Sequence, residues 1–177
     1  MRIFITGFAG SGKSTAASIL RRMGFKVFEV SYTIKREMRS RKIRITPESL
    51  EEYTAHEKRL RGNDFAAIDT AKRASKARGD IVMVGFRSHD ELLAARKILG
   101  NIPLVLVLAP YKMRLLRVKS RKAMRMGASE LRMKDRSNIN MGMRRVLRDA
   151  DYIIYNTGTV AELKQNIRMV LDIMNKG

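Results

Sequence analysis

The chain has 177 residues, with 37 lysines and arginines against 17 aspartates and glutamates, a formal net charge of +20, and 45% hydrophobic residues. That length suits one domain with a single core, and the absence of cysteine excludes a disulfide framework and a thiolate metal site. The longest apolar run, Ile102 to Pro110, is too short to cross a bilayer and nothing reads as a secretory signal, so a cytoplasmic protein with no membrane partner is expected.

Taken in order, Arg2 to Thr6 has the β-branched and aromatic content of a buried strand. Gly7-Phe8-Ala9-Gly10-Ser11-Gly12-Lys13-Ser14 follows, a complete Walker A pattern, and Thr15 to Met23 are good helix formers that stop at Gly24. Strand, glycine-rich loop and helix together form the context in which the pattern works as a phosphate cradle. Gly7, Gly10 and Gly12 let successive backbone N–H groups turn inward, and the helix N-terminus adds its positive dipole end. Lys13 can reach the β- and γ-phosphates, and the Ser14 hydroxyl can join the shell of a magnesium ion. Ser11 and Thr15 complete the set expected around a bound nucleoside triphosphate.

Beyond the loop, strand and helix signals alternate, the pattern of a doubly wound α/β fold with a five-stranded parallel sheet. Lys26 to Val30 reads as the second strand, and a basic helix runs from about Tyr32 to Arg41. Thr46 is an N-cap with Pro47 at the first helical position, and helical pattern continues to Leu60 and again from Asp64 to Lys76. Ile81 to Gly85 is a buried strand, and Ser88-His89-Asp90-Glu91 a capping box opening a helix that ends near Gly100. Pro103 to Ala109 is a near-continuous apolar strand, as expected in a sheet covered on both faces. Tyr111 to Arg148 is helical, charged and broken near Gly127. Tyr152 to Tyr155 is the last strand, and a second capping box, Thr159 to Glu162, opens the final helix. Two helical insertions, residues 31–78 and 112–148, interrupt the plain alternation within one domain.

The positive charge is uneven. Between Tyr111 and Arg148 thirteen basic residues face only Glu130 and Asp135, and Lys35, Arg36, Arg39, Arg41, Lys42 and Arg44 are opposed by Glu37 alone. Such an excess attracts polyanions. Arg87 follows the third strand, whose carboxyl end should face the ligand crevice, where a guanidinium can clamp an oxyanion with two hydrogen bonds. Arg114, Arg117 and Arg121, spaced by three and four, should share one helical face. That row suits two readings equally, charge neutralisation over a transferred phosphoryl group and contact with an RNA backbone.

The chain resembles the nucleoside monophosphate kinase group, and most closely an archaeal P-loop family related to adenylate kinase and dephospho-CoA kinase. The residues that carry the resemblance are Gly7 to Ser14, Gly85-Phe86-Arg87-Ser88, Ala109-Pro110 followed by Arg114 and Arg117, and Ala150-Asp151-Tyr152-Ile153-Ile154-Tyr155-Asn156. The resemblance spans essentially the whole chain and implies transfer of the γ-phosphate of ATP to a monophosphate. It makes 31–78 the acceptor-nucleotide region and 112–148 the lid, with Lys13, Arg117 and Arg121 stabilising charge and Arg87 holding the acceptor's phosphate. Asn156 then lies in the loop that packs against the adenine.

The sequence also departs from that family's pattern. Val84 and Tyr32 stand where related kinases carry carboxylates that hold the magnesium water shell, and Lys35 stands where an acceptor-binding arginine is usual. Glu29, Glu37, Asp80 and Asp90 are the nearby carboxylates, each suited to an ordinary surface or capping role. Two functions follow as expectations. One is an ATP-dependent phosphotransferase with weakened metal retention. The other is a nucleotide-binding relative that works by binding RNA or a ribonucleoprotein such as the ribosome through its basic surface.

Overall fold

The computed structural model describes residues 1–121 and 125–176, leaving aside the side chain of Pro47. Residues 122–124, expected within the lid, lie outside the described part. The chain runs β1 (Arg2–Thr6), α1 (Lys13–Arg22), β2 (Lys26–Glu29), α2 (Val30–Ser40), α3 (Pro47–Arg61), α4 (Phe65–Ser75), β3 (Ile81–Phe86) and α5 (His89–Leu99). It continues through β4 (Leu104–Leu108), α6 (Tyr111–Lys119), α7 (Ala128–Asn140), α8 (Met143–Arg148), β5 (Tyr152–Tyr155) and α9 (Val160–Lys176). All five strands pair in parallel, in the order β2-β3-β1-β4-β5.

Side chains alternate across this sheet and feed two separate cores. Ile3, Ile5, Val82, Val84, Val105, Val107 and Ile154 pack with Ala16, Ala17 and Leu20 of α1 and with Leu163 and Ile167 of α9. Phe4, Ile81, Met83 and Leu104 face the other way, against α2, α4, α5 and α8. Because both faces are covered, the strands read as continuous apolar runs instead of an apolar–polar alternation. The doubly wound parallel fold expected from the sequence is the fold observed.

Parts of the two charged segments pack into the core. Within 31–78, α4 lies against the sheet side, with Phe65, Ala66, Ala67, Ala71 and Ala74 in the core. Of the segment 112–148, α8 likewise buries Met143 and Val146. The helical run expected from Tyr111 to Arg148 is three helices, because Gly142 takes φ 95° between α7 and α8 and α6 ends at Lys119. In α3, Thr46 accepts from the Ser49 N–H at 3.2 Å as an N-cap, and buried Glu57 joins Arg41 and Arg61 at 3.1 and 3.2 Å.

The strand order creates the crevice. After β1 the chain crosses one face through α1 to β2, whereas after β3 it crosses the other face through α5 to β4. The carboxyl ends of β1 and β3 are neighbours whose continuations diverge, which is where an open α/β sheet leaves room for a ligand.

Candidate functional site

The loop between β1 and α1 is shaped by what surrounds it. Gly12 adopts φ 105°, a left-handed conformation, and a Cβ there would collide with the side-chain amide of Asn156. That amide donates to the Ser11 carbonyl at 2.8 Å, and Arg117 donates to the Asn156 carbonyl at 3.0 Å. α1 begins at Lys13, two residues earlier than its sequence suggests, and has no acidic residue in its first turn. Its positive end therefore meets the loop unneutralised.

Lys13 folds back over the loop, donating to the carbonyls of Gly7 and Phe8 at 2.5 and 2.8 Å. Burial, then the neighbouring charges of Arg87, Arg121, Lys134 and Arg114, brings its pKa down to about 7. An ammonium held in this way gains its full charge when an anion arrives to pair with it.

On β3 the register slips by one residue: Ile5 pairs with Val84 but Thr6 pairs with Phe86, leaving Gly85 as a bulge at φ 107°. The bulge turns Phe86 into the core, with its ring 4.8 Å from that of Phe4, and carries Arg87 to the cavity wall. Two further bonds fix the segment. Thr6 donates its hydroxyl to the Phe86 carbonyl at 3.0 Å, and the Arg87 N–H donates to the Glu91 carboxylate at 2.7 Å. Ser88 caps α5 as expected by accepting from the Glu91 N–H, but Glu91 reaches back one residue further than a capping box requires. Burial, the largest influence, raises the Glu91 pKa, although the Arg87 N–H and charge pull the other way.

These elements enclose a cavity of about 490 Å³. Gly7, Gly10, Gly12, Lys13, Ser14 and Thr15 line it, as do Arg87, Arg117 and Arg121. Ser11 and Asn156 do not. Ser11 is buried, its hydroxyl without a hydrogen-bond partner among the described residues, and Asn156 is a buried strut beneath the loop. The row Arg114, Arg117, Arg121 does not act as one face. Arg114, only 7% exposed, turns inward to form a two-pronged pair with Asp135 at 3.0 and 2.7 Å and also donates to the Ala9 carbonyl. Arg121 lies beyond the end of α6.

The cavity also contains residues that sequence reasoning left out. Lys134 and Asn138 stand one helical turn apart on α7, a spacing that would have exposed them once the helix start at Ala128 was known. The Lys134 ammonium is pushed to lower pKa by burial first and then by Arg87 and Arg121. Lys35 lines the same space, Tyr32 points outward and is 47% exposed, and Val84 belongs to the wall. Asp151, part of the Ala150–Asn156 block, accepts from the Leu104 N–H at 2.7 Å, a bond between residues 47 positions apart that ties the start of β5 to the start of β4.

A family profile described as an AAA domain matches residues 3–141. The UPF0200 protein of Hyperthermus butylicus is 32% identical over 174 residues, covering 96% of this chain and 92% of that protein. The chain belongs to the UPF0200 family of AAA-domain proteins. Another member of this UPF0200 group, the UPF0200/UPF0201 protein of Archaeoglobus fulgidus, is 29% identical over 175 residues. The chain spans 54% of that longer relative's length. Among solved structures, shikimate kinase from Acinetobacter baumannii in complex with shikimate matches with a TM-score of 0.65 over 99% of this chain and 93% of that one. At 15% identity this likeness establishes a shared kinase-like P-loop fold. No helix among the described residues is long and apolar enough to cross a membrane.

Proposed function

We propose that this chain transfers the γ-phosphate of ATP to a small acceptor that itself carries a phosphate, of the monophosphate class. The supporting observation is a surplus of positive charge in one cavity. Beyond the loop lysine, Lys35, Arg87, Arg117, Arg121 and Lys134 line it. A triphosphate seated on the loop leaves several of these cations to receive a second anion. Phosphoryl transfer depends mainly on positioning and charge neutralisation, which suits such a wall.

In this reading the loop amides and the α1 N-terminus hold the β- and γ-phosphates, and Lys13 leaves its loop carbonyls to follow the transferred group. Arg87, fixed by the Gly85 bulge and by Glu91, holds the acceptor's phosphate. Arg117 and Arg121 stabilise charge as the phosphoryl group moves. The helices of 31–78 shape the acceptor side and those of 112–148 close over it. Among the described residues no group of three or more histidines, cysteines or carboxylates is poised to hold a metal by itself. A magnesium ion arriving on the triphosphate needs only one or two protein oxygens, and the exposed Ser14 hydroxyl on the cavity wall fits that role. When bound, the ion neutralises charge between the phosphates.

The test is a coupled assay of ATP consumption against a panel of nucleoside monophosphates and other phosphate monoesters, with shikimate and gluconate as acceptors lacking phosphate. Turnover confined to phosphate-bearing acceptors is expected. No turnover with any of them, while ATP still binds, rejects the proposal.

A second reading draws on the outward basic side chains Arg36, Arg39, Arg41, Lys42 and Arg44 near α2 and Arg132, Arg136, Arg144 and Arg145 on α7 and α8. It makes the chain a binder of RNA or a ribonucleoprotein through backbone contacts, with affinity falling log-linearly as salt rises. Binding that is absent, or indifferent to salt, removes this reading.

A further inference from the structure

Among the described residues that line the cavity there is a single carboxylate, Glu29, at the carboxyl end of β2. It is half-buried and pairs in register with Val84, two residues before β3 ends, so it stands at the carboxyl rim of the sheet. Glu37, Asp80 and Asp90, the other acids near the loop or the β3 end in sequence, do not line the cavity. Glu37 accepts from Arg61 at 3.0 Å and from the Tyr53 hydroxyl at 3.3 Å. Asp80 pairs with the amino group of Met1 at the opposite end of the sheet, and Asp90 is exposed on α5. Glu29 itself forms no ion pair and no side-chain hydrogen bond with another described residue, although Lys13, Lys35 and Arg87 line the same space.

A lone, uncommitted carboxylate on a wall of cations opposes phosphate binding unless something intervenes between the two negative groups. A divalent cation is the natural mediator, since it takes hard oxygens from both. The Ser14 hydroxyl on the same wall offers a second oxygen of that kind. Val84 offers no donor, and Tyr32 does not line the cavity.

We infer that Glu29 is the carboxylate that holds the magnesium ion of the bound nucleotide, directly or through its coordinated water, together with Ser14. The inference rests on the proposal that the cavity binds a nucleoside triphosphate, and the experiment separates the two. Binding of the non-hydrolysable analogue AMPPNP is measured by calorimetry with and without magnesium, in the wild-type protein and in Glu29→Gln and Glu29→Asp. Wild-type affinity should rise on adding magnesium. In Glu29→Gln that gain should fall by about ten- to a hundredfold while metal-free affinity holds or improves, and Glu29→Asp should retain part of it. An equal magnesium gain in wild type and Glu29→Gln, or no gain in the wild type, overturns the inference and leaves nucleotide binding standing. No binding of AMPPNP by the wild type under either condition overturns both.

A second measurement needs no variant. In protein labelled with ¹³C at its glutamate carboxyl groups, Mn²⁺–AMPPNP should show a ¹³C hyperfine coupling in electron–nuclear double resonance. A strong coupling marks direct ligation and a weak dipolar one ligation through a coordinated water; no resolved coupling of either kind overturns the inference, whatever the folding of the variants.

Discussion

Asn156, in the turn after β5, donates its side-chain amide to the carbonyl of Ser11, a residue 145 positions earlier, at 2.8 Å. The phosphate loop is thus braced from beneath by the far end of the sheet, with Gly12 leaving room for the amide. Asn156→Ala should lower stability by about 1–3 kcal/mol, the cost of a buried carbonyl left unpaired. It should also weaken AMPPNP binding. Asn156→Asp should be worse on both counts, since a carboxylate would face a carbonyl oxygen. Urea denaturation and calorimetry check both effects; unaltered nucleotide affinity would show that the loop keeps its shape without this brace.

Lys13 makes binding depend on pH. Its pKa is about 7 in the folded chain against an ordinary 10.5. The unfolded chain therefore holds more protons between those values, and folded stability rises as pH climbs from about 7 toward 10.5. Below that window the buried ammonium destabilises the free protein in full. Lys13→Met should melt higher than wild type at pH 6, by a margin that shrinks toward pH 10. Binding of AMPPNP at pH 8 should be accompanied by proton uptake, visible as a dependence of calorimetric heat on the buffer's ionisation enthalpy. The uptake should be largely lost in Lys13→Met.

The Arg114–Asp135 pair ties α6, α7 and the loop carbonyl of Ala9 together. Removing one partner leaves the other charge buried and alone. Asp135→Ala should cost about 3–5 kcal/mol, whereas the double change Arg114→Met with Asp135→Leu should lie nearer to wild type. A thermal-denaturation cycle over the single and double variants measures this. Simple additivity would mean that the pair contributes nothing beyond its separate side chains.

Glu91 is predicted to be replaceable at a gain. Its pKa is raised by burial, so the stability of the wild type falls as pH rises through that raised value. Glu91→Gln keeps an oxygen for the Arg87 N–H and removes the buried charge. The melting temperature of the variant relative to wild type should increase between pH 4 and pH 8. A flat difference across that range would show that the carboxyl does not change its protonation there.

Much of this arrangement was written in local pattern. The strand–loop–helix at residues 2–23, the apolar runs of β3 and β4, and the caps at Thr46 and Ser88 each depend on neighbours a few residues away, and each lies within two residues of where its sequence put it. What escaped depends on distant partners. The inward turn of Arg114 is decided by Asp135 on another helix, and helical spacing alone cannot tell a cavity-facing arginine from a buried one. Glu29 acquires its position only because β2 pairs with β3 and not with β1. The bulge at Gly85 that aims Arg87 appears only when β1 and β3 are laid side by side.

The brace between Asn156 and Ser11 also sets an order of events during synthesis. The loop leaves the ribosome 145 residues before the amide that supports it. A nascent chain that has formed β1 to β4 still holds an unsupported cradle, with the Ser11 carbonyl and the Arg117 guanidinium lacking the partner that joins them. Competence to grip a triphosphate therefore waits until residue 156 has emerged, and a product truncated before it has the motif without the brace.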